Sequence, residues 1–581
     1  MSGQPIPLVT VVALVIAAVA TVVIGFYGVR LARTTSDFLV ASRSVGSRWN
    51  AAAISGEYLS AASFLGVAGL IAKYGADALW YPVGFTAGYL GLLLFVAAPL
   101  RRSGAYTVPD FAEFRLGSKR LRLLAMLVVA VICVLYMVPQ FQGAGLALGI
   151  LLGIPMWVGA VVVALIVIAN VVGGGMRSIT FVQAFQYWLK LTAVAVPALV
   201  LTFHFLGADG GLGTPAPPTV TDRTTVDVTT DVIVQVSQPL SVTASGVLDG
   251  NPVDGPVALG VGEYELSAGT ALVLDAGAAV PVVAGAPPTG AQWLDPGWGL
   301  GGTHPLYQVY SLIVGIFLGT MGLPHVLVRF YTNPDGRTAR TTSLAVIGLV
   351  GVFYLFPILL GVFARLWVPQ LLITGTSDAA VLLLPASVVS GVGGQVLAAL
   401  VAAGAIAAFL ATSSGLLVSV AGVLSTDVMK GRIRDFRVAA VVAGAVPLVL
   451  AIGVASIDLS RTVGMVFAVA ASTLCPLLVL GIWWRGLTAA GAAAGLIVGG
   501  VASGSAALVT SFGGVGSGPW NGWLQVLVGY PAAVTVPLAF LTMVAVSRAT
   551  RGSIPADVAR TFTRMHAPER LGVGRDRERD L

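Results

Sequence analysis

Long apolar stretches follow one another along almost the whole chain, with short polar segments between them. Each stretch has about 20 residues, the length that an α-helix needs to cross a hydrocarbon layer about 30 Å thick. Lipid offers no partner for open backbone groups, so helices are the expected spanning elements. The pattern therefore predicts an all-α polytopic membrane protein with about thirteen transmembrane helices. The predicted helices cover residues 7–30, 50–72, 78–100, 122–149, 155–173, 179–206, 306–330, 342–364, 391–425, 437–457, 461–484, 487–511 and 521–547.

The pattern changes between residues 208 and 305, where turn-forming residues separate short β-branched runs such as Val232–Val236. This alternation predicts a small β-rich insertion. It carries ten acidic residues and a single basic one, Arg223, so we expect it outside the cytoplasm. Two interpretations of its role stay open, a solvated linker and a binding module.

Five predicted helices lie on each side of this insertion, in blocks 50–206 and 306–484. An odd number of helices makes the two blocks enter the membrane in opposite orientations, which is the inverted repeat of many secondary transporters. A peripheral helix at 7–30, two more at 487–547 and a basic tail at 548–581 complete the chain.

The composition agrees with a membrane protein, since 57% of the residues are hydrophobic, 10% are charged and the mean hydropathy is +0.92. Such a chain needs the lipid bilayer as its solvent. The formal charge of +7 does not indicate a nucleic-acid partner, because the basic residues lie in short loops and in the tail. Basic clusters follow the first and third stretches, so the positive-inside rule predicts a cytoplasmic C-terminus and an outside N-terminus. We expect a multi-pass protein of a bacterial inner membrane.

Polar residues interrupt the first helix of the first block, between Asn50 and Gly66. Among them is Glu57, and an ionisable group at membrane depth usually faces a cavity, an ion or a partner. Gly56 beside Ser55 is the expected point of unwinding, where freed carbonyls can bind a cation and freed amides can bind an anion. A purely structural hydrogen bond is the alternative for Glu57.

The other block opens with a similar disruption, because Gly319, Gly322 and Pro324 all weaken a continuous helix. Interruption of the first helix in both blocks predicts a binding site near the midplane of the membrane. An ordinary proline kink is the alternative, and we expect His325 to be a satisfied interfacial histidine rather than a proton carrier.

Further polar residues occupy other apolar stretches. Thr412, Ser413 and Ser414 lie mid-helix, where their hydroxyls either join a cation site or bond to neighbouring helices. Gln140 and Gln142 allow the same two interpretations, a site role and a structural bond. Lys190 is expected to extend toward the cytoplasm rather than to pair with a substrate charge. The helices are expected to lack deep arginines, and half-helix N-termini could hold an anionic group without one.

Several of these stretches together resemble the sodium/solute symporter family, and they are most similar to its bacterial cation/acetate (monocarboxylate) symporters. The resemblance is carried by Ile54–Glu57, Leu59–Gly66, Gly174–Met176, Gly322–His325 with Arg329 and Phe330, and the hydroxyl-rich helix ending in Asp427. It covers about residues 7–206 and 306–550 and leaves the insertion out.

The resemblance implies a LeuT-like 5+5 inverted repeat with one sodium site between the first and the eighth core helix. The sodium ligands it implies are backbone oxygens of Ala51, Ile54 and Ala408 and the side chains at Ala411 and Thr412. Many members have serine where this chain has Ala411, so a hydroxyl ligand is missing, and Ser413 or Ser414 is the candidate replacement. The substrate residues it implies are Ser55, Gly56, Glu57, Gln142, Gly319 and Thr320.

The expected function is import of a small organic anion, a monocarboxylate such as acetate, coupled to a cation and driven by alternating access. Na⁺ is the coupling ion that the resemblance implies, H⁺ is the alternative, and no other metal and no cofactor is expected. Another solute, an amino acid or a different organic acid, is the alternative substrate. A membrane sensor is a weaker alternative, and an enzyme is weaker still, because no nucleophile–base pair or metal motif is present in the sequence. The sequence does not indicate an oligomeric state.

Overall fold

The computed structural model describes residues 8–29, 40–207, 211–228, 230–297, 304–374, 377–429, 431–453, 459–512 and 522–571. Parts of the predicted helix 437–457, of the insertion 208–305 and of the tail 548–581 lie outside these described residues.

Helices form almost the whole structure before and after the insertion. Those before it are α1 (Leu8–Val29), α2 (Ser47–Tyr58), α3 (Val67–Tyr74), α4 (Trp80–Gly91), α5 (Ala97–Arg102), α6 (Val108–Leu116), α7 (Lys119–Leu152) and α8 (Met156–Leu206). Those that follow the strands are α9 (Gly290–Leu294), α10 (Pro305–Gly322), α11 (Pro324–Phe330), α12 (Gly336–Trp367), α13 (Ala380–Val388), α14 (Gly391–Asp427), α15 (Ile433–Gly453), α16 (Leu459–Ser472), α17 (Leu474–Trp483), α18 (Ala489–Phe512), α19 (Trp523–Gly529), α20 (Ala532–Ala549) and α21 (Val558–His566). Wider π-helical turns at Ala62–Gly66 and Leu92–Val96 precede α3 and α5.

Eleven helical stretches among the described residues are long and apolar enough to cross a bilayer. Two of them contain two crossings each. The stretch Ala62–Arg102 turns at Gly75–Leu79, between α3 and α4. Helix α8 has 51 residues and would run about 75 Å if it were straight, but it breaks at Gly175, whose φ of 56° lies in the left-handed region. The count of about thirteen transmembrane helices is confirmed.

The insertion is a seven-stranded antiparallel sheet, as its alternating pattern predicted. Its strands are β1 (Thr224–Asp227), β2 (Val232–Val236), β3 (Leu240–Leu248), β4 (Asn251–Leu259), β5 (Gly262–Leu266), β6 (Ala271–Leu274) and β7 (Val282–Val283). The order is β1-β6-β3-β5-β2-β7, with β4 paired to β3 alone. Asp249 and Gly250 join β3 to β4 with positive φ at both positions, the geometry of a two-residue hairpin turn.

The insertion is fastened to the helical bundle by its last segment. Trp293 of α9 is buried, and its indole N–H donates to the carbonyl of Ile71 at 2.7 Å. The Arg365 guanidinium donates to Ala72 O at 3.1 Å and to Pro287 O at 2.9 Å. One arginine of α12 therefore joins the end of α3 to the insertion.

Both five-helix blocks begin with a broken helix. In the first block, α2 ends at Tyr58 and helical structure resumes at Ala61; we call residues 59–60 the first break. In the second block, α10 ends at Gly322 and α11 begins at Pro324, so Leu323 forms the second break. The predicted interruption of both helices is confirmed. Buried polar and charged side chains gather at these two breaks.

Candidate functional site

The first break lies three residues after the predicted position, Gly56. Ser55, Gly56 and Glu57 still belong to the last turn of α2, and the backbone leaves the helix at Leu59 with φ −72° and ψ 84°. A broken helix leaves carbonyl and amide groups without their usual partners, and inside a membrane these groups must find others. At this break the other partners are side chains from neighbouring helices.

Lys190 of α8 supplies one of these partners. Its ammonium group donates to the carbonyl of Gly56 and, at 2.7 Å, to the carbonyl of Leu59. The side chain is completely buried. The expectation that Lys190 extends toward the cytoplasm is therefore wrong, because an ammonium group without water binds the nearest free carbonyls instead.

Helix α14 and Gln183 of α8 supply further contacts. The hydroxyl of Thr412 donates to Glu57 O at 2.6 Å, and the side-chain amide of Gln183 donates to Ala411 O at 2.8 Å. Ala411 offers no hydroxyl, and the hydroxyl of Ser413 is buried without a hydrogen-bond partner. Two backbone carbonyl oxygens near this break, those of Glu57 and Ala411, thus already accept a hydrogen bond from a neighbouring side chain.

A buried ion pair between Glu57, two residues before the first break, and Arg329 connects the two broken helices. Arg329 of α11 donates from Nε to a carboxylate oxygen of Glu57 at 2.6 Å. Its remaining nitrogens donate to Thr180 at 2.8 Å and to Gln183. Gly415 backs the carboxylate so closely that any side chain there would collide with it. Arg329 is fully buried and pairs with Glu57, a contact that the expectation of helices without a deep arginine did not include.

His325 follows the second break by two residues. Leu323 is extended, with φ −73° and ψ 115°, because proline disfavours the helical conformation in the residue before it. His325 is buried beside the Tyr136 ring, with the ring centres 5.3 Å apart, and neither of its ring nitrogens has a hydrogen-bond partner. The expectation of a satisfied interfacial histidine is therefore wrong.

Helix α7 spans the distance between the two breaks. Tyr136 and Gln140 are four residues apart and share one helix face, so that Tyr136 meets His325 while Gln140 meets the first break. The Gln140 carbonyl oxygen accepts from Ala61 N at 3.1 Å, and its buried amide nitrogen has no partner. Gln142 faces elsewhere, with its amide 3.4 Å from Ala451 O.

Aromatic side chains surround the remaining candidate residues. The hydroxyl of Thr320 lies 3.0 Å from that of Tyr58, and Gly319 packs directly against the backbone of Phe467. Tyr89 stands edge-on to Tyr58, with ring centres 4.8 Å apart, and its buried hydroxyl has no partner. The rings of Phe85, Tyr89 and Phe467 all pack edge-on against Tyr58 at this place.

The structure thus gathers most of the predicted residues but adds three. Ala51, Ile54 and Ala408 are buried along α2 and α14, next to the residues described above. Gln142 is not brought to either break. Gln140, for which the sequence left a site role and a structural bond open, lies at the first break. The residues that sequence reasoning did not place at the breaks are Gln183, Lys190 and Arg329. Their common signal is a long polar side chain in an apolar helix.

Two blocks of five helices, each opening with a helix broken near a buried polar site, define a LeuT-like secondary transporter. The chain shares this fold with a Na⁺-coupled sialic acid symporter solved in a substrate-bound outward-open state, at a TM-score of 0.61 and 15% identity, with 93% of this chain and 98% of that one covered. The chain belongs to the sodium:solute symporter family, whose family model matches residues 38–243 and 282–499. The unmatched residues inside the insertion, 244–281, are fewer than the resemblance implied.

Two relatives extend this likeness along the chain. A monocarboxylic acid transporter of Corynebacterium glutamicum is 31% identical, with 93% of this chain and 90% of the relative covered. An uncharacterized symporter of Bacillus subtilis, YwcA, is 29% identical, with 90% of each chain covered.

Proposed function

We propose that this protein imports a small monocarboxylate, such as acetate, together with a cation by alternating access. The observation that supports this proposal most is that several buried polar groups at the two breaks have no hydrogen-bond partner, among them the Gln140 amide, the Tyr89 hydroxyl and the His325 ring. Buried polar groups in folded proteins are nearly always hydrogen-bonded, so such a set favours a ligand that supplies the missing partners.

The charges at the breaks favour a monoanion. Arg329 and Lys190 are positive and Glu57 is negative, so these three groups sum to one positive charge when ionised. A single carboxylate would neutralise that charge inside the bilayer, where an uncompensated charge is costly. Hydrogen bonds from the Gln140 amide and the Tyr89 hydroxyl to the carboxylate would fix its orientation.

The site residues of the proposal combine both sources. For substrate they are Gln140, Tyr89 and His325, together with the residues implied by resemblance, Ser55, Gly56, Glu57, Gly319 and Thr320. For the cation they are the oxygens around the first break, with Ala51, Ile54, Ala408, Ala411, Thr412 and Ser413 as the positions implied by resemblance. No step of this proposal involves covalent chemistry.

Alternating access would arise at the same breaks. The two halves of a broken helix can tilt separately. The ion pair between Glu57 and Arg329 joins α2, the half before the first break, to α11, the half after the second break. If cation and anion both bind the same conformation, each raises the affinity of the other by the same factor. The packed rings around Tyr58 correspond to a closed state in this scheme.

The proposed location is a bacterial inner membrane, with the N-terminus and the insertion outside and the tail in the cytoplasm. The short segments on the side away from the insertion carry the basic residues, as the positive-inside rule requires of a cytoplasmic face. Arg122 on that side binds Glu113 at 2.6 Å and Asp427 at 2.5 Å, joining α7 to the end of α14.

The test is uptake of radiolabelled acetate into proteoliposomes that contain the purified full chain. Inward Na⁺ and H⁺ gradients are imposed separately, each with and without an inside-negative potential. We expect accumulation above the level reached in protein-free liposomes under at least one gradient, and competition by propionate and pyruvate but not by alanine. Folded protein that accumulates no monocarboxylate under either gradient contradicts the proposal, and competition by amino acids alone favours the alternative solute.

A further inference from the structure

The first break carries an arrangement that bears on the coupling ion. Carbonyl oxygens that a broken helix could offer to a metal ion already accept hydrogen bonds from side chains here. One of the donors, Lys190, is itself a cation. We infer that the ammonium group of Lys190, bound to the carbonyls of Gly56 and Leu59 beside the positions that the resemblance implies for Na⁺, takes the place of a coupling Na⁺ at the first break, so that this transporter needs no Na⁺ there. The inference rests on the proposed transport function and names the cation of that same site.

The oxygens are the first reason. Na⁺ is a hard cation that needs several oxygen ligands, which at a broken helix are carbonyls and hydroxyls. Here the carbonyls of Gly56 and Leu59 accept from Lys190, and the carbonyl of Glu57 accepts from Thr412. A hydroxyl is absent at Ala411, whose own carbonyl accepts from a glutamine amide.

The reach of the lysine is the second reason. Helices α2 and α8 touch at Gly56, where a side chain would collide with the backbone of Gln183. This close approach lets the buried stem of Lys190 deliver its ammonium group directly to the break. The carbonyls of Gly56 and Leu59 replace the water that would otherwise solvate the ammonium group, because a charged group in a dry interior is stable only when polar partners surround it.

Charge is the third reason. Arg329 and Lys190 carry two positive charges when ionised and Glu57 carries one negative charge, so one positive charge is left over at the first break. Na⁺ at the same carbonyls would place a second cation beside the ammonium group, and like charges in a medium of low dielectric repel strongly. One fixed cation and one transported monoanion give a neutral site.

The first experiment compares acetate uptake with NaCl and with choline chloride as the only external salt, under an inward proton gradient. The variants are wild type, Lys190→Met, Lys190→Arg, and Lys119→Met as a control lysine that is exposed at the start of α7. We expect wild type and Lys119→Met to transport equally in both salts, within about twofold. In choline we expect Lys190→Met to lose at least about tenfold and Lys190→Arg to retain part of the activity.

Wild-type uptake that falls to background in choline overturns the inference while leaving the proposed transport function intact. Failure of all uptake in folded protein would instead contradict the transport function, and a binding measurement then decides on Lys190. Thermal unfolding of the purified protein is compared in NaCl and choline chloride without substrate. We expect no Na⁺-dependent rise in the unfolding temperature of wild type, and a rise in Lys190→Ala, which frees the carbonyls. A Na⁺-dependent rise in wild type that Thr412→Ala abolishes overturns the inference.

Discussion

The two breaks occupy equivalent places in the two blocks, but different parts of the chain hold them open. The second break follows from its own sequence, because Pro324 has no amide hydrogen and keeps Leu323 extended. The first break contains no proline. Side chains from α7, α8 and α14 hold it, and Lys190 lies 131 residues away from Leu59 in the chain. A local break is stable by itself, whereas a break held by tertiary contacts can change when a ligand competes for those contacts.

The largest effect is expected where the two broken helices meet. Arg329→Ala leaves the buried carboxylate of Glu57 without its partner, and such losses cost about 3–5 kcal/mol. We expect a strongly lowered unfolding temperature in detergent and loss of transport. Arg337→Ala, an exposed arginine at the start of α12, is the control and should change stability by about 0.5 kcal/mol or less.

The double variant Glu57→Gln/Arg329→Gln sharpens this test. It removes both charges, so it should be more stable than Arg329→Ala alone. If the double variant and Arg329→Ala are equally stable, the loss in Arg329→Ala does not come from leaving the charge of Glu57 unpaired.

A smaller effect is expected at the helix face that joins the breaks. Gln140→Leu removes the acceptor of Ala61 N, and an unpaired buried amide costs about 1–3 kcal/mol. Because the same side chain is a proposed substrate donor, KM for acetate should rise about tenfold, which corresponds to about 1.4 kcal/mol. Gln142→Leu is the matched control, and a larger rise in KM for that variant would contradict the choice of Gln140.

The second break should respond only locally. Pro324→Ala restores an amide hydrogen and permits the helix to continue through Leu323. We expect slower hydrogen exchange at 325–326, a change in stability below about 1 kcal/mol, and slower transport. Unchanged exchange would show that packing rather than proline holds this break.

The smallest effect is expected far from both breaks, at Glu569. Burial opposes its ionisation, but hydrogen bonds from its own amide, from Gly336 N and from Arg102 outweigh it and lower the pKa of this carboxyl below its ordinary 4.5. The stabilisation is therefore complete above pH 4.5 and is lost as the pH falls through the lowered value. Solvent screens this half-exposed pair, so Glu569→Gln should cost about 0.5 kcal/mol or less at pH 7 in thermal unfolding. The difference from wild type should vanish below the lowered pKa.

The sequence by itself determined the membrane fold. Helix length, the alternating strands of the insertion and the odd number of helices in each block all follow from local periodicity, which depends on neighbouring residues only. The second break belongs to the same group, because proline acts on the residue beside it. The polar stretch around Glu57 was also visible, since a carboxylate is exceptional in an apolar helix.

Only the tertiary structure decided what the polar residues do. From the sequence of its own helix, Lys190 was expected to extend toward the membrane surface. That sequence does not show that the carbonyls of Gly56 and Leu59 lie free beside it. Gln140 and Gln142 are equivalent in the sequence, yet the rotation of α7 turns one to the first break and the other to α15. Arg329 meets Glu57 across 272 residues. A side chain without water binds the nearest unsatisfied group, and which group is nearest depends on how distant helices pack.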